Sequence, residues 1–136
     1  MNAALVDTNV ILDVATSDPV WRPWSQDVLA DLIDRGTRLI INPIIYAEVS
    51  IGYLSPDTLD SILGKIGIDR EPLPWDCTFL AGKAFLAYRR KGGERRSPLP
   101  DFFIGAHAAV RGYTLVTRDP RPQSTYFPNV DLITPE

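Results

Sequence analysis

Four acidic residues stand in places that ordinary surface decoration does not explain. Asp7 directly follows the apolar run Ala4-Leu5-Val6. Glu48 lies among Ile44, Ile45, Tyr46, Ala47, Val49 and Ile51. Asp101 follows Leu99-Pro100, and Asp119 comes just after Tyr113-Thr114-Leu115-Val116-Thr117. An acid buried in apolar surroundings must have a partner. If the four converge, two carboxylates about 4 Å apart repel by about 4 kcal/mol at an effective dielectric near 20. That is roughly three pKa units for one of them. A divalent cation removes the conflict. Oxygen donors select Mg²⁺ or Mn²⁺. Soft metals want Cys or several His, and the chain has one of each, Cys77 and His107, which excludes a structural zinc site. A carboxylate-held Mg²⁺ or Mn²⁺ can bind a phosphodiester oxygen, lower the pKa of a water nucleophile and stabilise the leaving oxygen. The four acids therefore point to hydrolysis of a phosphodiester by a metal-activated water.

Each acid also has a simpler role. Asp7 and Asp101 suit helix caps, Asp119-Pro120 suits a turn, and Glu48 suits an exposed helix position. Two other functions follow from these roles. One is a phosphatase-like phosphoryl-transfer enzyme with Asp7 as nucleophile. Phosphatases of the haloacid dehalogenase type place a second Asp two residues on, where this chain has Asn9. The other is a non-catalytic binding module whose acids merely cap helices. It predicts that Asp7→Asn changes stability and not activity.

The elements that must position these acids are legible from periodicity and punctuation. Ala3 to Val6 reads as a short buried strand, and Thr8 to Ala15 as a helix with Val10, Ile11 and Val14 on its apolar side. Asp18-Pro19 breaks it. Trp21, Trp24, Val28, Leu29, Leu32 and Ile33 fall on one face of a second helix that Gly36 stops. Arg38 to Ile41 is a strand. Asn42-Pro43 and Ser55-Pro56 are cap-and-proline helix starts. Ile68 to Leu73 suits a short edge strand, and Trp75 to Lys91 a helix closed by Gly92-Gly93. A polar loop covers Glu94 to Ser97. A helix begins at Asp101 and ends at Gly112. Tyr113 to Thr117 is a strand, Arg118 to Asn129 is irregular, and Val130 to Ile133 is the last strand. Strands alternating with helices predict an α/β fold, a three-layer α/β/α domain with a central parallel sheet. Its ligands would sit at the carboxyl ends of the strands.

Length and composition set the outer limits. The 136 residues suit one domain spanning 1–136. A chain of that length can bury about 68% of the surface its unfolded form exposes. With 45% hydrophobic and 23% charged residues the usage is that of a globular chain. A lone cysteine excludes an internal disulfide and suits the cytosol. The start, MNAALVDTN, has no signal-peptide pattern, and no apolar run reaches the roughly 18 residues of a membrane span. A cytoplasmic protein without membrane association is expected. The net charge of −3 argues against a non-specific nucleic-acid coat protein. It leaves room for an enzyme that holds nucleic acid through metal ions and a local basic patch.

Four segments together carry a resemblance: VDTNVILD at 6–13, NPIIYAEV at 42–49, LPDFFIGAHAAVRGYTLVTRD at 99–119 and TYFPNVDLI at 125–133. In this order they resemble the PIN-domain ribonucleases, and within them the VapC toxins of type II toxin–antitoxin systems. The block from Leu99 to Asp119 is the most specific. The resemblance implies an Mg²⁺- or Mn²⁺-dependent endoribonuclease. It assigns Asp7, Glu48, Asp101 and Asp119 as the catalytic and metal-holding acids, with Thr8, Asn9 and Thr117 in support. It further implies an RNA substrate, a homodimer and a VapB-type antitoxin. From Ser55 to Gly93 the chain follows the family only in element order.

Other features have competing roles. Arg89, Arg90, Lys91, Arg95 and Arg96 cluster tightly and could guide an RNA backbone. Cations at a helix end that complement its dipole would look the same. Arg118 and Arg121 flank Asp119 and could touch phosphate, although a surface loop is the favoured account. His107 could act as a general base, but Phe103, Ile104 and Val110 around it suit a packed helix residue. Trp21, Trp24, Trp75, Phe79, Phe85 and Tyr88 could stack bases; at helical spacing they suit a core or a dimer contact.

Overall fold

A computed structural model of the chain describes residues 2–92, 99–121 and 123–135. Five strands form one sheet: β1 (Ala3–Val6), β2 (Arg38–Ile41), β3 (Ile68–Arg70), β4 (Thr114–Val116) and β5 (Leu132–Ile133). Their order is β3-β2-β1-β4-β5 and every pairing is parallel. The helices are α1 (Thr8–Ala15), α2 (Arg22–Asp34), α3 (Pro43–Ser50), α4 (Pro56–Ile66), α5 (Trp75–Arg90), α6 (Leu99–Arg111) and the short α7 (Gln123–Tyr126). This is the three-layer α/β/α fold that the alternation of strands and helices predicts.

The central strands are apolar because helices cover both faces of a parallel sheet. Ala4, Leu5 and Val6 in β1 and Leu39, Ile40 and Ile41 in β2 are all buried. Local chemistry starts and stops the helices. Asn42 accepts a bond from the Ile45 N–H, Ser55 accepts one from the Thr58 N–H, and proline opens both helices. Gly67, at φ +93°, ends α4 in the left-handed conformation that a Cβ disfavours.

The sheet order sets the location of the site. From β1 the chain moves to one side for β2 and β3, and it returns to the other side for β4 and β5. The carboxyl ends of β1 and β4 therefore flank the switch point of the sheet, where parallel α/β folds open a crevice.

Several local expectations are corrected. The sixth helix begins at Leu99, so Asp101 lies in its first turn and does not start it. In α2 the buried residues are Ser25, Leu29 and Leu32, whereas Ile33 is exposed. A step of about 100° per residue carries Ile33 off the face that Leu32 buries. In α1 the buried set is Val10, Ile11 and Asp13, with Val14 only partly covered. The segment expected to be irregular after Arg118 contains α7. Among the described residues, no helix is long and apolar enough to cross a membrane.

Candidate active site

Asp7, Glu48, Asp101 and Asp119 line one pocket of ≈ 290 Å³, together with Thr8, Asn9, Arg121 and Gln123. Each acid arrives on a different element. Asp7 follows β1, and its backbone N–H extends the β1–β4 pairing to the Val116 carbonyl at 2.9 Å. Glu48 projects from α3 and Asp101 from the first turn of α6, and Asp119 follows β4.

Asp7 is the best-held of the four. Its Oδ1 accepts the Thr8 N–H at 2.7 Å, so it also caps α1, and its Oδ2 accepts the Thr117 hydroxyl at 2.7 Å. The Thr8 hydroxyl donates to Glu48 Oε1 at 2.6 Å and so links the second acid to the first. Asn9 Oδ1 accepts the Arg118 N–H at 3.3 Å, and Thr117 Oγ1 accepts the Asp119 N–H at 3.1 Å. The three supporting residues therefore all bond either to the acids or to the segment that carries one. Asp119 sits on the exposed rim, and its Oδ1 accepts the backbone N–H and the Nε–H of Arg121. That exposed ion pair contributes little to stability.

Electrostatics reflect the crowding. Burial pushes the Asp7 carboxyl up, the Thr117 and Thr8 donors pull it down, and the charges of Glu48 and Asp119 push it up again. Burial first, then the charges of Asp7, Glu48 and Asp119, push Asp101 up to about 7. A carboxyl that takes up a proton near neutrality for these reasons would be returned to its anion by a cation in the pocket.

The donor set is all oxygen, which suits Mg²⁺ or Mn²⁺. Among the described residues, no three His, Cys, Asp or Glu side chains form a ready-made cage. Mg²⁺ commonly keeps several waters and takes only one or two carboxylates directly, so an open ring of acids around a pocket fits it. Asp7, Glu48, Asp101 and Asp119 all line the pocket and are the carboxylates that could hold such an ion.

The remaining sequence candidates fall elsewhere. Arg118 does not line the pocket. Its Nε and Nη2 donate to Asp13 at 2.8 and 3.0 Å, and its guanidinium lies 5.0 Å from the Trp21 ring centroid. The group considered for a phosphate contact is thus engaged by Asp13. Arg121, which the sequence placed in a surface loop, does line the pocket. Arg89 and Lys91 lie over the rings of Phe85 and Tyr126 at the end of α5, and Arg90 is exposed beside them. Arg95 and Arg96 lie outside the described residues. His107 is fully buried between Asn42 (3.0 Å) and Glu71 (2.8 Å). Asn42 Oδ1 is occupied by the Ile45 N–H, so its Nδ2 donates to Nδ1 of His107, and Nε2–H of His107 donates to Glu71. Burial pushes the imidazole down, toward the neutral form. Among the aromatics, Phe85 and Tyr88 pack on Phe102, whereas Trp75 and Phe79 are exposed.

Two features had no sequence signal strong enough to find them. Gln123 is buried beside the pocket, with Nε2 donating to the Asp101 carbonyl at 3.3 Å. Asp13 is buried and paired, and its place at the end of VDTNVILD, one turn after Asn9 on α1, did not by itself mark that role. A larger hollow of ≈ 410 Å³ lies near Tyr46, Arg70 and Glu71. Its one carboxylate, Glu71, already accepts bonds from His107 and the Tyr113 hydroxyl.

Comparison with known proteins agrees with the fold. A search of curated protein sequences finds no match. Among solved structures, the chain is similar to VapBC2 from Rickettsia felis bound to a DNA fragment from its promoter. The TM-score is 0.74 at 21% identity, over 98% of this chain and 99% of that one. It is also similar to VapBC-1 from nontypeable Haemophilus influenzae (TM-score 0.71, 16% identity, 97% of each chain) and to FitAcB from Neisseria gonorrhoeae (0.69, 24%, 97% of each). At these identities the likeness is one of fold. The family model of the PIN domain matches residues 4–128, a span that contains β1 to β4 almost entirely, and the chain belongs to the PIN domain family.

Proposed function

We propose that this protein is an Mg²⁺- or Mn²⁺-dependent endoribonuclease and the toxin of a type II toxin–antitoxin pair, built as one PIN-like domain over residues 1–136. The observation that carries the nuclease reading is the convergence of four carboxylates from four separate elements on one pocket, with Asp101 pushed up to about 7. Family membership supports it, and the VapBC and FitAcB complexes among its structural neighbours support the toxin reading. A VapB-type antitoxin partner, a homodimer and a cytoplasmic setting go with that reading.

A bound ion supplies Lewis-acid polarisation of a phosphodiester and a lower pKa for water. The chain's own groups do the rest. Thr117 and Thr8 fix both oxygens of Asp7, so the carboxylate keeps one orientation. Thr8 fixes Glu48 through Oε1, which leaves Oε2 to orient water. Arg121 on the rim places a cation where a phosphate would enter. The phosphatase-like alternative is disfavoured because Asn9, at the position of its second acid, is engaged with the Arg118 backbone.

The test is incubation of the purified chain with structured RNA and Mg²⁺ or Mn²⁺, with and without EDTA, repeated for Asp7→Asn and Asp101→Asn. Metal-dependent cleavage that both folded variants lose is expected. Cleavage surviving both substitutions, or indifferent to EDTA, rejects the proposal.

A further inference from the structure

Among the described residues, Asp13 is the most deeply buried carboxylate outside the pocket, at 2% exposure, and both its oxygens are engaged. Its Oδ2 accepts the Ser25 hydroxyl from α2 at 2.7 Å and Arg118 Nε at 2.8 Å, while Oδ1 accepts Arg118 Nη2 at 3.0 Å. A two-point fork of this kind fixes direction as well as distance. Trp21 covers the guanidinium at 5.0 Å. Asn9, one turn before Asp13 on the same face of α1, takes the backbone N–H of the same arginine at 3.3 Å. Helix α1 therefore grips residue 118 at two places, once by main chain and once by side chain.

The position gripped matters. Thr117, immediately before it, donates to Asp7, and Asp119, immediately after it, lines the pocket. The Thr117 N–H makes the last bond to β5, to the Ile133 carbonyl at 3.0 Å, and the Arg118 N–H turns instead to Asn9, so a change in the direction of residue 118 strains Thr117 and moves Asp119. We infer that Asp13 and Arg118 form a positioning clamp that aims Thr117 and Asp119 at the pocket, with Trp21 and Ser25 holding the clamp closed. The inference rests on the nuclease reading for its effect on rate, and on geometry alone for its effect on the segment.

Two variants test it: Asp13→Asn, which removes the charge at nearly constant shape, and Arg118→Lys, which keeps the charge and loses the fork. In Asp13→Asn a freed Arg118 can turn to solvent, because its side chain is already 27% exposed. The first readout is amide hydrogen exchange of the chain without metal. Faster exchange confined to the peptide covering residues 116–121 is expected in both variants. The second is steady-state cleavage of an RNA oligonucleotide with Mn²⁺. Here kcat should fall by about 100-fold in Asp13→Asn with KM nearly unchanged, and by about tenfold in Arg118→Lys, because a misplaced reacting group lowers rate rather than binding. Unchanged exchange at 116–121, or exchange that rises equally in α5 and α6, overturns the clamp. A rise in KM at constant kcat also overturns it, because Arg118 would then be acting on substrate. If the wild-type chain cuts no RNA under any metal, the nuclease reading fails and the exchange result alone decides the clamp.

Discussion

The hydroxyl of Thr117 donates a 2.7 Å hydrogen bond to Oδ2 of Asp7 across a sequence separation of 110 residues. The parallel pairing of β1 with β4 brings the two together, with Val6 opposite Val116. One residue beyond that pair on each strand, the ladder ends and the site begins.

Removing this bond has a signed consequence. The Thr117 hydroxyl pulls the Asp7 carboxyl down, against burial and the charges of Glu48 and Asp119. Thr117→Val should therefore raise Asp7 further and move the acid limb of the pH–rate profile to higher pH. Taking one donor from this half-buried carboxylate should also cost about 1 kcal/mol of stability. Thr117→Ser should keep the wild-type limb. A Val variant whose profile overlays the wild type contradicts the assignment.

Asp101 makes a second pH prediction, on stability. Its carboxyl lies at about 7 in the folded chain against an ordinary 3.8. The folded state thus holds this proton more tightly than the unfolded state. The resulting stabilisation is complete below the lower value and is lost as pH rises through the upper one. Melting temperatures in EDTA should show the wild type losing ground to Asp101→Asn across that window. Added Mn²⁺ should reverse the loss for the wild type. A constant difference between the two proteins from pH 4 to pH 8 would contradict the raised carboxyl.

Gly105 on α6 lies under Gln123 and Phe127. A Cβ placed there would come 2.3 Å from Gln123 Oε1 and 2.5 Å from Phe127 Cδ2. Replacing a mid-helix glycine by alanine usually stabilises by about 1 kcal/mol, whereas overpacking costs about 1–3 kcal/mol. Since ring atoms and a buried amide must both shift, the clash should win. Gly105→Ala should lose about 1 kcal/mol or more in urea denaturation. A stabilised variant would mean that the α7 segment is free to move off α6.

His107 should matter for folding and not for chemistry. His107→Ala opens a cavity and leaves Asn42 Nδ2 and one oxygen of Glu71 without their partner. A loss of about 2–4 kcal/mol is expected. Cleavage per folded molecule, measured by active-site titration well below the melting temperature, should stay within twofold of wild type. A large drop in kcat would restore the general-base role.

The amino-acid sequence alone determined the α/β alternation, the helix starts at Asn42-Pro43 and Ser55-Pro56, and the identity of the four acids. Caps, turns and apolar periodicity act within a few residues of themselves, so each can be read locally. Only the tertiary structure decided that Asp7 and Thr117 touch, that Asp13 turns inward to Arg118, that Gln123 reaches the Asp101 carbonyl and that Ile33 faces solvent while Ser25 does not. These partners lie many residues apart, and nothing in either segment names the other. Parallel pairing at the centre of the sheet sets the carboxyl ends of β1 and β4 side by side, and side-chain reach across that junction does the rest.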